Sequence, residues 1–238
     1  MRKVVAAGLL LLALALGVGG GYAAGDYLDR PTAAGTAAPL GEVSPSPTPS
    51  PSEPSLPVKT PVPSNVEPLN TGLEYTTHSV TVTPKGAAPV RLAVETPQGW
   101  RLAPRDPERP AEFKYLDKLR ERGVRVEAVE PAVRTPADEL AKLVVDLKKS
   151  VPAEDGLRII SQTSDEQILG DDGRPRSVAT LIYTYIPGET LRYVVVRWIA
   201  VNDNPFATIE MSITGLPQDA TGLDEVLLHA TQSARVVG

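Results

Sequence analysis

The chain contains no cysteine. That absence excludes disulfides, thiolate metal sites, a cysteine nucleophile and a lipid-modified N-terminal Cys. Any domain this chain exports must therefore be held together by core packing. Histidine is nearly as scarce, with only His78 and His229 in 238 residues. No Gly-x-Ser-x-Gly, P-loop, Gly-x-Gly-x-x-Gly or His-Glu-x-x-His motif occurs. Basic blocks are also missing. The 24 Lys and Arg are interspersed among 29 Asp and Glu for a net charge of −5, which argues against a nucleic-acid partner. Asp171-Asp172-Gly173 and Asn202-Asp203-Asn204 lack the spaced oxygens and distal Glu of a calcium loop, and read as turns. No catalytic residue, metal or cofactor is expected, and the chain reads as non-enzymatic.

What is present begins with an apolar run. Arg2 and Lys3 precede Val4 to Gly25, Asp26 follows, and no residue between them is charged. About 22 residues in a helix just cross a hydrocarbon core of roughly 30 Å. Two readings stay open: a cleaved signal peptide with Gly21-Tyr22-Ala23 at the cleavage site, or an uncleaved anchor with residues 1–3 in the cytoplasm. Both export the remainder. Residues 26–72 are rich in Pro, Ser and Thr, centred on Ser44-Pro-Ser-Pro-Thr-Pro-Ser-Pro-Ser-Glu-Pro54. Proline removes amide donors and few apolar side chains are present, so a disordered linker is expected, extended over up to ~120 Å. Such a spacer needs a fixed near end, which favours a single-pass plasma-membrane anchor over secretion.

The folded part is expected at 73–238. Tyr75–Val82 and Val90–Thr96 alternate apolar and polar residues as half-buried strands do. A charged loop, Arg101 to Pro110, leads to strands at Phe113–Tyr115 and Val124–Val129. The stretch from Arg101 to Arg125 carries both signs of charge, as a solvated hairpin or a partner-docking edge would. Thr135 and Pro136 open a helix whose Leu140, Leu143, Val144 and Leu147 form one apolar stripe. Strands at Leu157–Leu169, Ser177–Ile186, Leu191–Val201 and Phe206–Ile213 follow, separated by turn-forming residues, and imply an antiparallel meander. A closing helix runs from Leu223 to about Val236, with His229 off its apolar stripe. Four-residue loops at 187–190 and 202–205 would set Ile186 opposite Leu191 and Val201 opposite Phe206. One face then aligns Thr180, Arg197 and Glu210 in a row, with Tyr193 beyond it. That row is either an Arg197–Glu210 ion pair beneath a helix or the polar patch of a ligand groove.

The order of these elements, with Pro97-Gln98-Gly99-Trp100 after the second strand, resembles the PsbP-like superfamily. That group includes photosystem extrinsic proteins, Ran-binding Mog proteins and actinobacterial LpqN lipoproteins. Thr96 stands where the family tends to have an aromatic residue. The resemblance implies an α/β/α sandwich with a central antiparallel sheet. It also implies a non-enzymatic accessory or binding role in an actinobacterial envelope, with Pro97, Gly99 and Trp100 as the shared motif. Two functions follow as expectations: a membrane-anchored module that docks an envelope protein, or a carrier of a lipid-like or anionic small ligand in the groove around Arg197.

Overall fold

The computed structural model describes residues 57–237; the apolar run at 4–25 and the linker to residue 56 lie outside them. Among the described residues no helix is long and apolar enough to cross a membrane. The order is β1 (Tyr75–Val82), β2 (Val90–Pro97), β3 (Arg101–Leu102), β4 (Glu112–Leu116), β5 (Gly123–Ala128), α1 (Pro136–Ser150), β6 (Arg158–Leu169), β7 (Pro175–Tyr185), β8 (Arg192–Ala200), β9 (Ile209–Gly215), α2 (Ala220–Ser233) and β10 (Arg235–Val237). The fold is α+β. Seven strands form one antiparallel sheet in the order β3-β4-β5-β9-β8-β7-β6, and β1-β2-β10 form a second.

Each face of the large sheet has its own core. Leu140 and Leu147 of α1 pack on Ala179, Leu181, Tyr183, Val194, Val196 and Trp198. The opposite face meets α2 and the small sheet through Val195, Ile199, Met211, Ile213, Leu92, Val94, Leu223 and Val226. Covered on both sides, β8 is buried from Tyr193 to Ala200, which explains its unbroken apolar run Val194-Val195-Val196. The expected single sheet between two helix layers is corrected in one respect. Helices do flank it, but β1 and β2 pair with each other and with β10 to form the second sheet beside α2.

The closing helix is also shorter than its apolar spacing predicts. It ends at Ser233. The Ser233 hydroxyl donates to His229 O (2.8 Å) and accepts from Glu95 N (2.8 Å), tying the helix end to β2. Val236 and Val237 then suit a strand, and pair with Leu92 and Arg91. The helix at Thr135 forms as expected: its side chain accepts from Asp138 N, which returns the capping box, and Pro136 opens the first turn.

Residues 57–72, expected to belong to a free linker, lie along the domain as a strap without helix or strand. Lys59 N donates to Glu154 O (2.8 Å), Val62 N to Glu189 O (2.7 Å) and Leu69 N to Asp219 Oδ1 (2.9 Å). Lys59 Nζ pairs with Asp155, and Arg122 donates to Glu67 O. Extended backbone is what the proline content dictates; the contacts arise because its unpaired amides find acceptors on the domain.

Candidate functional site

The β7–β8 register is the one counted from the sequence: Ala179 faces Trp198 and Thr180 faces Arg197. The β8–β9 register differs by one residue, with Arg197 opposite Met211 and Trp198 opposite Glu210. A one-residue change moves every side chain of β9 to the other face. Glu210 therefore leaves the row, and the expected Arg197–Glu210 pair does not form. The turn explains the difference. Asn202 and Asp203 both have positive φ (60° and 58°), and Asn204 N closes onto Val201 O at 3.2 Å. This is the tight two-residue hairpin turn that Asn and Asp favour. Residues 205–207 then leave the β8–β9 ladder, Ala207 N reaching Arg134 O (2.8 Å), before Thr208 N rejoins Ile199 O (3.0 Å).

Glu210 instead joins a network on the other face of the sheet. Arg125 donates to Glu210, to Glu127 (2.6 Å) and to Glu112 (3.1 Å), and Lys114 pairs with Glu112 at 2.8 Å. Burial pulls the Arg125 pKa down, but the three carboxylates outweigh it and hold the guanidinium firmly charged. The part of the Arg101–Arg125 stretch that reaches β4 and β5 is thus a half-buried cluster of paired charges rather than a solvated hairpin.

What sits over Arg197 is α2. Arg197 is 7% exposed. Its Nε donates to Thr180 Oγ1 (2.9 Å) and its Nη1 to Thr231 Oγ1 (3.0 Å). Among the described residues its Nη2 reaches only Glu166 Oε2, at 3.8 Å, too long for a hydrogen bond. Two neutral hydroxyls and one loose carboxylate compensate poorly for burying a charge, and burial accordingly lowers the Arg197 pKa despite Glu166 and Asp224. Beside it lies a cavity of about 250 Å3 lined by β6, β7, β8 and α2. Ile168, Ile182, Leu227 and Leu228 supply apolar walls; Ser161, Thr163 and Thr180 supply hydroxyls.

The acids of the cavity are Glu166 and Asp224. Glu166 is there because β6 is irregular. Thr163 pairs with Thr180 and Glu166 with Val178, so one extra residue is inserted between them. In a regular strand residue 165 would share a face with Thr163; the bulge turns Glu166 into the cavity instead, as bulges beside binding sites do. Asp224 is exposed, yet partial desolvation of its carboxyl beside the cavity raises its pKa, against the pull of Arg197.

Of the residues expected at this site, Thr180 and Arg197 come together. Tyr193 shares their face but lies outside the lining; burial, then Asp224, raises its pKa. Glu166 and Thr231 were missed, since a bulge and a helix–sheet contact leave no mark in strand counting. Asp224, in the first half of α2, carries no sequence mark that separates it from an acid placed there for the helix dipole. The Pro97-Gly99-Trp100 motif is structural. Trp100 N closes onto Pro97 O (3.2 Å), Gly99 takes φ +86° as the third residue of such a turn requires, and Trp100 packs against the core. His229 stacks on Tyr75, 3.9 Å between ring centroids, and His78 on Tyr115 at 4.2 Å. No metal-binding group of His, Asp and Glu occurs among the described residues.

No family model matches the chain, and no curated protein sequence does. Solved structures similar to it include the following two. The Ran-binding protein Mog1p of Saccharomyces cerevisiae is 13% identical with a TM-score of 0.42, over 68% of this chain and 97% of that one. LpqN of Mycobacterium tuberculosis, involved in cell envelope biogenesis, is 14% identical with a TM-score of 0.38, over 68% of this chain and 92% of that one. Both fall in groups to which the sequence resemblance points; at these values the likeness assigns neither a partner nor a function to this chain.

Proposed function

We propose that this protein is a non-enzymatic binding module of the bacterial envelope. Residues 4–25 hold it at the plasma membrane with the folded part outside the cytoplasm, and its Arg197 cavity seats the anionic group of a small ligand. The observation that carries the reading is the guanidinium itself: buried, oriented by Thr180 and Thr231, and with Nη2 left for a ligand. A bidentate or single charge-assisted bond donated to a carboxylate is the interaction such a group lacks. The cavity lies just below the roughly 300–1,000 Å3 that drug-sized ligands occupy, so the ligand is small and a long acyl chain does not fit. Docking of a whole envelope protein is less favoured. The exposed large apolar side chains are spread over the strap, β3, α1, β6 and α2, as Val58, Leu102, Val145, Ile160 and Leu228 illustrate.

Two measurements test this. Calorimetric titration of the full chain in detergent with a panel of small carboxylic acids, amino acids included, should give saturable binding that Arg197→Met abolishes. Binding that is absent across the panel, or unchanged in Arg197→Met, rejects the cavity as the site. Cell fractionation with N-terminal sequencing should find the chain in membranes and intact at its N-terminus; a start near Ala24 and recovery from the medium would reject the anchor.

A further inference from the structure

We infer that the ligand of the Arg197 cavity is a small zwitterion with an apolar side chain, of the α-amino-acid type, its carboxylate on Arg197 and its ammonium on Glu166 and Asp224. This rests on the cavity reading above and specifies its ligand class. The charges have a depth order. Arg197 is 7% exposed, the Glu166 side chain is 42% exposed, and Asp224 is exposed. The cation is therefore at the floor and both anions are nearer the mouth. With these groups ionised the cavity carries one positive and two negative charges.

A simple anion would reach Arg197 only beside two carboxylates, and like charges a few ångströms apart oppose each other. A simple cation would be drawn to the mouth but would meet Arg197 behind it. A ligand with an anionic end inward and a cationic end outward satisfies both. The walls set what lies between. Ile168, Ile182, Leu227 and Leu228 leave an apolar flank, which an aliphatic side chain fills and a second charged group does not. Ser161, Thr163 and Thr180 remain for additional hydrogen bonds to either end. The β6 bulge adds weight, since it places Glu166 in the cavity where a regular strand would place residue 165.

Three probes sharing one carbon skeleton separate the possibilities: L-leucine, 4-methylpentanoate, which lacks the ammonium, and 3-methylbutylamine, which lacks the carboxylate. They are titrated calorimetrically into the full chain in detergent at pH 7. Leucine is expected to bind at least about tenfold more tightly than either analogue, each missing charge leaving one end of the site unpaired. In the Glu166→Gln, Asp224→Asn double variant, the advantage of leucine over 4-methylpentanoate should fall to within about twofold. Both substitutions are at exposed side chains, so the result does not hang on whether Arg197→Met folds. Equal affinity for leucine and 4-methylpentanoate, lost in Arg197→Met, overturns the zwitterion and leaves the anion site standing. Tightest binding by the amine overturns the zwitterion and the anion site alike, and so does the failure of all three probes to bind.

Discussion

Thr231 holds two buried guanidinium groups at once. Its hydroxyl accepts from Arg197 Nη1 at 3.0 Å and donates to Leu227 O at 2.6 Å, while its carbonyl accepts from Arg176 Nη1. Valine in its place keeps the volume and removes the acceptor. Thr231→Val should therefore cost about 1–3 kcal/mol in urea denaturation, the penalty of leaving a buried donor unpaired. It should also weaken ligand binding at the cavity, because the guanidinium loses one of its two fixed bonds. Asp219 illustrates the same economy of partners with the opposite charge. It is fully buried and accepts from Leu69 N (2.9 Å), Leu216 N (2.8 Å) and Arg122 Nη2 (2.8 Å). Burial raises its pKa, but Arg122 and the two amides outweigh that and hold it below the usual carboxylate value. A carboxylate whose pKa is lower folded than unfolded adds stability above its unfolded pKa, near 4, and loses it as pH falls through the folded value. Asp219→Asn should thus cost about 3–5 kcal/mol at pH 7, the usual result of breaking a buried pair. Its stability should also fall less steeply than wild type below about pH 4. Denaturation midpoints measured from pH 2 to pH 7 would check both effects; parallel curves for the two proteins would remove Asp219 from the account.

Elements meet where glycine lets them. Gly222 lies in α2, and a Cβ there would stand 2.5 Å from the Leu69 carbonyl oxygen of the strap. Two effects compete in Gly222→Ala. Helix propensity favours alanine by about 1 kcal/mol, whereas the contact is with backbone and cannot yield by a side-chain rotation. The strap must lift, surrendering the Leu69–Asp219 bond to a charged acceptor, worth about 1.5–3 kcal/mol. The net should be destabilising, with faster protease cleavage near Leu69; a rise in melting temperature would mean the strap contributes nothing there. Legibility also divides at this scale. Pro187-Gly188-Glu189-Thr190 connects β7 to β8 as counted, so the Thr180–Arg197 pairing could be read from residues alone. Asn202-Asp203-Asn204-Pro205 has the same length and turn-forming character, yet the chain closes at Val201–Asn204 and bulges afterwards. Counting fixes how many residues separate two strands, not which pair closes the turn. That single unresolved residue is why Arg197 was paired with Glu210 and why Thr231, 34 positions away, was not seen as its partner. Strand and helix positions survived because alternation and capping are local signals. The bulge before Glu166 and the sheet partners of β1 and β10 are settled by packing between distant segments.

For the molecule as a whole, the strap decides where a tether would pull. The described chain begins beside the turn that follows α1, with Val58 against Gly156 and Lys59 bonded to Glu154 and Asp155, and only after residue 72 does it enter β1. Between these points it crosses the β7–β8 loop at Glu189 and reaches the start of α2 at Asp219 and Glu225. A force along an anchored linker would load these contacts before it reached β1, so the strap separates the fold from its tether. Its prolines at 57, 61, 63 and 68 lower the entropy cost of laying it down, because their φ angles are already fixed in the unfolded chain. A fragment spanning 57–238 should accordingly be more stable than one spanning 73–238. Loss of the Leu69–Asp219 bond alone, at about 1.5–3 kcal/mol, corresponds to a melting temperature lower by roughly 3–12 °C in a domain of this size. The deficit should persist in high salt, since Asp219 is buried and screened little, whereas any part that comes from Lys59 and Glu154 should vanish. Equal melting temperatures for the two fragments would put the domain boundary at residue 73 after all and make the strap part of the spacer.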